Sequence, residues 1–212
     1  MKRLYRVTCS LILALAVFTS AGNRARAGSD SPRQLIDGFH EILLGAMRDT
    51  TLDYSGRYSR LVSAVEQTFH LPVMTQVSAG GFWREASQVH RQALIAAFAR
   101  YGVSLLARNF SGDGIKRFDT LAERPGPQDT ILVDARLMRK NGSDIELAYV
   151  VKKGSSGWKV VDVLLDKGIS ELALRRSEFS HGLSNGGLPA LAATLNNKAN
   201  EFAQAASPIG IE

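Results

Sequence analysis

Apolar and polar residues alternate through residues 131–169, and two glycine-containing turns divide this stretch into three segments. We expect tight turns at Asn141-Gly142 and at Gly154–Gly157, because alternation interrupted by such residues is typical of antiparallel strands. A three-residue loop at the first turn, with Gly142 in a left-handed conformation, places the apolar sets of the flanking strands on the same face. With a further strand that begins at Ile115, the pattern predicts an antiparallel sheet of about four strands.

The predicted sheet carries apolar side chains on both of its faces. Val133 and Leu137 mark one face of the second strand, whereas Leu132 and Met138 mark the other. The last strand has two apolar sets, and its alternation leaves open which of them faces inward. A sheet that is apolar on both sides must be covered on both, either by helices or by a bound molecule.

Helical periodicity flanks the predicted sheet in the sequence. Ser31 and Pro32 are typical of a helix start, and Ser87 precedes the longest apolar stripe. The predicted helices cover about residues 32–47, 56–68, 73–77, 88–109, 170–179 and 188–205, with a break at Gly186-Gly187. The expected fold class is therefore α+β, with about six or seven helices packed around a small antiparallel sheet.

Residues 1–27 have the features of a secretory signal peptide. Three basic residues precede an apolar core of about fifteen residues, and Ala25-Arg26-Ala27 fits the small-x-small cleavage rule. A membrane anchor would need roughly 20 apolar residues. We therefore expect cleavage after Ala27, export to the periplasm, and a mature chain of residues 28–212 that forms a single domain.

Removal of residues 1–27 changes the charge balance of the chain. This segment contains five of the 26 basic residues and no acidic residue, which leaves 21 basic residues against 20 acidic ones. A nearly neutral domain offers no electrostatic argument for a nucleic-acid partner. Cys9, the only cysteine, lies in the same segment, so the mature chain can form neither disulfides nor reactive thiolates.

The sequence contains no recognisable cofactor or metal motif. Four histidines lie in separate predicted elements, at residues 40, 70, 90 and 181, without metal-ligand spacing. The run Gly154–Gly157 matches neither a nucleophile elbow nor a phosphate-binding loop. We therefore expect no cofactor and no bound metal ion.

One group of residues would suit an enzyme. Asp134 and Tyr149 lie on neighbouring predicted strands, and Asp162 lies within an apolar run. An acid and a tyrosine in an apolar cavity can transfer protons, as in enzymes of the ketosteroid-isomerase type. The structural alternative is that Asp162 pairs with Arg136 or Lys159 across the sheet, or faces water. A protein–protein adaptor without a small-molecule ligand is a third hypothesis.

Several motifs resemble those of the MlaC/toluene-tolerance family. The most specific are Gly157-Trp158-Lys159-Val160-Val161-Asp162-Val163, Gly168-Ile169-Ser170 and Arg176-Ser177-Glu178-Phe179. Supporting motifs are Phe69…Met74, Phe82-Trp83-Arg84, Arg91…Phe98 and Val133-Asp134-Ala135-Arg136-Leu137. The resemblance extends from Leu35 to Lys198, which is nearly the whole mature chain.

This resemblance implies a fold, a location and a function. Members of the family are periplasmic phospholipid carriers that shuttle between an outer-membrane lipoprotein complex and an inner-membrane ABC transporter complex. Their fold wraps helices and a small sheet around an acyl-chain cavity, and they are not enzymes. His70 and Leu174-Arg175 depart from the family pattern, which has Asp and Asn-Tyr there. A related branch, HpnM, is associated with hopanoid biosynthesis, so a hopanoid-like lipid is an alternative cargo.

The predicted lipid-binding residues belong to apolar stripes that would face one another across such a cavity. They are Phe69, Met74, Phe82, Trp83, Phe98, Tyr101, Leu105, Val133, Leu147, Tyr149, Val151, Val161 and Val163. Each buried methylene group contributes about 0.8 kcal/mol, so such a cavity can hold acyl chains without a metal ion or cofactor.

Overall fold

The computed structural model describes residues 31–206, except residues 113 and 167. The predicted signal peptide therefore lies outside the described residues. The helices are α1 (Pro32–Arg48), α2 (Tyr54–Thr68), α3 (Leu71–Ala79), α4 (Phe82–Glu85), α5 (Gln88–Asn109) and α6 (Glu171–Ala205). The strands are β1 (Ile115–Pro125), β2 (Thr130–Arg139), β3 (Ile145–Gly154), β4 (Gly157–Leu165) and β5 (Ile169–Ser170). The α+β class is confirmed, with one more strand than the predicted four.

Side-chain caps define the starts of the long helices. The Ser31 side chain accepts a hydrogen bond from the Gln34 amide at the start of α1, and Ser87 accepts one from the His90 amide at the start of α5. These bonds satisfy N–H groups that have no partner within the helix. α5 has the predicted bounds. α2 begins two residues earlier than predicted, because Asp53 caps it.

The last two predicted helices form one bent element, α6. The bend lies at Gly186 and Gly187, whose backbone angles are not helical, and Pro189 follows in the first turn of the second half. Gly187 has a φ of 62°, which favours glycine, and a Cβ on Gly186 would lie only 2.7 Å from the Cβ of Ala190. The predicted break is therefore real, but it bends the helix and leaves no loop between the halves.

The sheet is an antiparallel meander in the order β1-β2-β3-β4-β5. Leu137 pairs with Ile145 across the β2–β3 turn, so the apolar sets of both strands lie on one face. Gly142, in that turn, has a φ of 86°. The shared apolar face and the left-handed glycine are as predicted, but five residues connect Arg139 to Ile145 where the sequence predicted a three-residue loop.

A bulge in β4 changes which of its side chains face the helices. Val163 pairs with Tyr149 and Val160 pairs with Val151, and the register shifts between these two pairs. Because paired residues share a face, both Val160 and Val163 point toward the helices. The inner face of β4 therefore contains Val160 and Val163, which belong to different apolar sets of the alternating pattern.

α1 packs across the sheet and also covers its β1 edge. The Arg33 guanidinium donates to the backbone oxygen of Thr120 at 2.6 Å, and that of Arg48 donates to the oxygen of Lys116 at 2.7 Å. These bonds satisfy carbonyl groups that an edge strand would otherwise present to other chains. On the inner face, Ile36 of α1 packs on Val133 and Val151.

Two further groups of buried side chains complete the core. One joins α1, α2 and α5 and includes Leu43 and Leu61, and the other joins α3, α5 and α6 and includes Leu94 and Leu195. Among the described residues, no helix is both long and apolar enough to cross a membrane.

Candidate functional site

An open cavity of about 470 Å³ lies between the inner face of the sheet and the helices. All of the helices except α4 contribute to its wall, and so do the first four strands. Its volume is within the range of about 300–1,000 Å³ that is typical of small-molecule sites. Most of the lining side chains are aliphatic or aromatic, and the charged ones are Asp166, Glu171 and Arg175.

Eight of the thirteen predicted residues lie in the wall of this cavity. They are Phe69, Met74, Phe98, Tyr101, Leu105, Leu147, Tyr149 and Val163. They come from the end of α2, from α3 and α5, and from β3 and β4. The facing stripes therefore meet where the sequence pattern predicted, although their role as lipid contacts stays a prediction.

Three of the other five predicted residues are on the sheet but outside the cavity. Val133 and Val151 share the inner face with Tyr149, but α1 covers that end of the sheet and leaves both with 0% exposure. Val161 lies in the β4 bulge, between the inward residues Val160 and Val163. Their placement depends on α1 packing and on the bulge, neither of which follows from the alternation.

Phe82 and Trp83 lie on a different part of the molecule. They open the single-turn helix α4, where Phe82 is 40% exposed. Trp83 packs against the α3–α5–α6 group, and the Arg91 guanidinium lies 5.6 Å from its ring centroid. Arg91 also donates to the backbone oxygens of Trp83 and Arg84. Trp83 therefore packs against the start of α5, and neither Phe82 nor Trp83 lines the cavity.

The list of predicted lining residues omitted several that the structure places there. Phe39 and Leu43 of α1 line the cavity, and so do Phe110, Phe118 and Leu137. The first two belong to the apolar stripe of α1 and could have been included on that basis. Phe110 and Phe118 flank the turn between α5 and β1, and only the packing of β1 against α1 reveals their position.

A buried polar pair lies beside the cavity. Nε2 of His40 is 2.9 Å from the hydroxyl oxygen of Tyr149, and the imidazole stacks on Phe118 with the ring centroids 4.0 Å apart. Burial lowers the pKa of His40 to about 4, although the nearby Asp37 carboxylate acts in the opposite direction. Burial also raises the pKa of the Tyr149 hydroxyl. Both groups are therefore neutral at neutral pH, which suits an apolar wall.

The charged lining residues come from the turn after β4 and from the first two turns of α6. Nη2 of Arg175 lies 2.6 Å from Glu171, and Nη1 lies 2.8 Å from Glu178. The same guanidinium lies 5.6 Å from the ring centroid of Tyr101 and donates to its hydroxyl at 3.4 Å. Asp166, at the end of β4, is exposed and has a φ of 33°. This end of the cavity is a charged rim, whereas the opposite wall is apolar.

The acidic residues of the enzyme hypothesis do not reach the cavity. Asp134 lies on the opposite face of the sheet and forms a bidentate pair with Arg124 at 2.8 and 3.1 Å. Asp162 accepts hydrogen bonds from the Ser170 hydroxyl and the Leu172 amide, which ties β4 to the start of α6. Asp162 does not form the cross-sheet ion pair with Arg136 or Lys159 that the structural alternative predicted. Within the described residues, no group of three His, Cys, Asp or Glu side chains could hold a metal ion.

The comparisons with known proteins agree with this architecture. A family model described as MlaC protein matches residues 35–197. The chain belongs to the MlaC family. This membership confirms the resemblance seen in the sequence, and it points to a binding or transport protein rather than an enzyme. No curated protein matches the chain.

A solved structure shares the MlaC-like fold of this chain. It is the phospholipid-binding protein from Ralstonia solanacearum in complex with a phospholipid, with a TM-score of 0.62 and 22% sequence identity. The match covers 80% of this chain and 97% of that one. The likeness at this identity establishes a common fold.

Proposed function

We propose that this protein is a periplasmic carrier that shields the acyl chains of a phospholipid, or of a hopanoid-like lipid, in the cavity. It would shuttle that lipid between the outer-membrane and inner-membrane complexes of an ABC-type transport system. The observation that carries the proposal is the open cavity of about 470 Å³, whose wall is apolar apart from one charged rim. The family and the phospholipid-bound relative support the same cargo class.

The energetics of the cavity suit a carrier. Each methylene group removed from water contributes about 0.8 kcal/mol, so two long acyl chains gain on the order of 20 kcal/mol. The same free energy holds the chains in a bilayer. A carrier can therefore take up and release lipid if its cavity binds the chains about as strongly as the bilayer does. An apolar wall such as that formed by Phe69, Phe98 and Leu147 provides this match without specific bonds.

The proposed location and the proposed partners are supported by different observations. Residues 1–27 resemble a signal peptide, and the family supports a periplasmic location. The two membrane complexes follow from the resemblance of the chain to MlaC carriers. The proposed order of events is uptake at one complex, diffusion with the chains covered, and release at the other.

The deciding experiment is native mass spectrometry of the gently purified protein, followed by solvent extraction and identification of the lipid. We expect the protein to carry endogenous lipid of one class. We also expect it to take up labelled phospholipid from donor vesicles. Extraction also separates phospholipid from hopanoid-like cargo. A protein that is empty after purification and takes up nothing from vesicles would refute the carrier function.

A further inference from the structure

The charged rim of the cavity has an unusual composition for the end that would receive a lipid headgroup. Arg175 is the only cationic side chain in the cavity wall among the described residues, and Asp166 and Glu171 are the acidic ones. Glu178 adds a second carboxylate to Arg175 from outside the wall. A phosphate that approaches this rim therefore meets a cation already paired with two anions.

The contacts of Arg175 hold its side chain in place but leave some of its N–H donors without a partner among the described residues. A guanidinium has five N–H donors. Three interactions are made, with Glu171, Glu178 and the Tyr101 hydroxyl. The side chain of Arg175 is only 18% exposed, and Tyr101 supports it from the cavity side. Within the described part of the chain, two donors therefore stay available to a phosphate or ester oxygen.

The carboxylates of the rim are more accessible than this arginine. The side chains of Glu171 and Glu178 are 28% and 57% exposed. Asp166 is exposed on a turn that its own amide anchors to the Glu146 backbone oxygen at 3.2 Å. Aspartate tolerates a positive φ better than most residues. The turn therefore places Asp166 at the charged end of the cavity.

We propose that Asp166, Glu171 and Arg175 form a headgroup subsite that prefers a lipid with an ammonium group beside its phosphate over one with a purely anionic headgroup. This inference rests on the proposed carrier function. The phosphate would accept hydrogen bonds from Arg175, and the ammonium group would lie among the carboxylates. A purely anionic headgroup has no cation for the carboxylates, which repel it instead.

The test is a competition between lipids with identical acyl chains. Lipid-free protein is incubated with vesicles that contain equal amounts of dioleoyl lipids with phosphoethanolamine, phosphoglycerol or no headgroup (diacylglycerol), and bound lipid is counted by native mass spectrometry. We expect the phosphoethanolamine lipid to exceed the phosphoglycerol lipid by about two- to fivefold, as for partly exposed charge pairs. Since exposed charges are screened by salt, 0.5 M salt should reduce this ratio.

Two variants test the parts of the subsite separately. Asp166→Asn with Glu171→Gln should bring the ratio of the two phospholipids to about one, because the negative charges that attract the ammonium group and repel an anionic headgroup are removed. Arg175→Gln should lower both phospholipids relative to diacylglycerol. Glu41→Gln, an exposed change on α1 outside the cavity wall, is the control and should keep the wild-type ratio. Asp166→Asn alone replaces the double variant if that variant unfolds, since Asn also accepts a positive φ.

The outcomes separate this inference from the function on which it rests. Equal uptake of the two phospholipids by the wild type would overturn the headgroup subsite and leave the carrier function intact. A preference that persists in the double variant would have the same meaning. Failure to bind any of the three lipids, diacylglycerol included, would overturn the carrier function itself. Lys167 is unchanged in every variant, so its charge is common to all comparisons.

Discussion

Nε2 of His40 and the hydroxyl oxygen of Tyr149 lie 2.9 Å apart, although 109 positions separate these residues in the chain. The bond joins α1 to β3 within an apolar part of the core. His40 is 4% exposed, and burial lowers its pKa to about 4 from an ordinary value of 6.5. A buried hydrogen-bonded pair of this kind stabilises the fold only while the imidazole stays neutral.

Replacement of His40 should therefore change how stability depends on pH. The unfolded chain binds a proton at His40 near pH 6.5, whereas the folded chain resists it down to about pH 4. The free energy of unfolding thus falls as the pH drops from 6.5 to 4, by up to about 3 kcal/mol from this residue. His40→Gln should flatten this part of the profile, as measured by urea denaturation across the pH range.

The control for this measurement is His90→Gln, because the His90 side chain is exposed. Its profile should follow the wild type. A His40→Gln protein that loses stability between pH 6.5 and 4 as steeply as the wild type would show that other groups cause the loss.

Gly102→Leu should fill the cavity and reduce the amount of bound lipid. Gly102 lies in α5 and lines the cavity, and a Cβ built there meets no atom within 4 Å. Leu is also a better helix former than Gly, by somewhat less than the roughly 0.8–1 kcal/mol that separates Gly from Ala, so the variant should be at least as stable as the wild type. Native mass spectrometry should show several-fold less lipid per protein molecule.

Gly38→Leu is the matched control. Gly38 is also helical and also has open space around its Cβ position, but it does not line the cavity. This variant should carry the wild-type amount of lipid. Equal lipid loads in the two variants would place the lipid somewhere other than this cavity.

The two aspartates of the enzyme hypothesis should differ in their effect on stability. Asp162→Asn weakens the hydrogen bonds to Ser170 and Leu172 and should lower the free energy of unfolding by about 1–3 kcal/mol. Asp134→Asn breaks only a partly exposed pair with Arg124 and should cost at most about 1 kcal/mol. Denaturant titration measures both values, and lipid binding at low temperature should persist in both variants. Loss of lipid in folded Asp134→Asn protein would contradict the structural role assigned to this residue.

Export should leave a mature protein that begins at Gly28. The prediction follows from the apolar run and from Ala25-Arg26-Ala27. N-terminal sequencing of protein recovered from the cell envelope checks it. A chain that retains Met1 and sediments with membranes would indicate an anchored protein.

Local sequence signals determined much of the secondary structure of this protein. Ser87 and the apolar stripe after it predicted the bounds of α5, and the glycine pair at 186–187 predicted a break at the position where α6 bends. Gly142 and the alternation around it predicted that β2 and β3 share an apolar inner face. Each of these features depends on residues close in sequence, where capping, periodicity and turn preferences act directly.

Only the tertiary structure decided which inner-face residues line the cavity. Val133 and Tyr149 are paired neighbours on the same face, yet α1 buries Val133 while Tyr149 lines the cavity. Because of the β4 bulge, Val160 faces inward, whereas Val161, a predicted lining residue, lies in the bulge and outside the cavity wall. Asp162 accepts a hydrogen bond from the Leu172 amide at the start of α6, a contact that no pattern within β4 indicates. These outcomes depend on how α1 and α6 pack against the sheet, and alternation along a single strand carries no information about that packing.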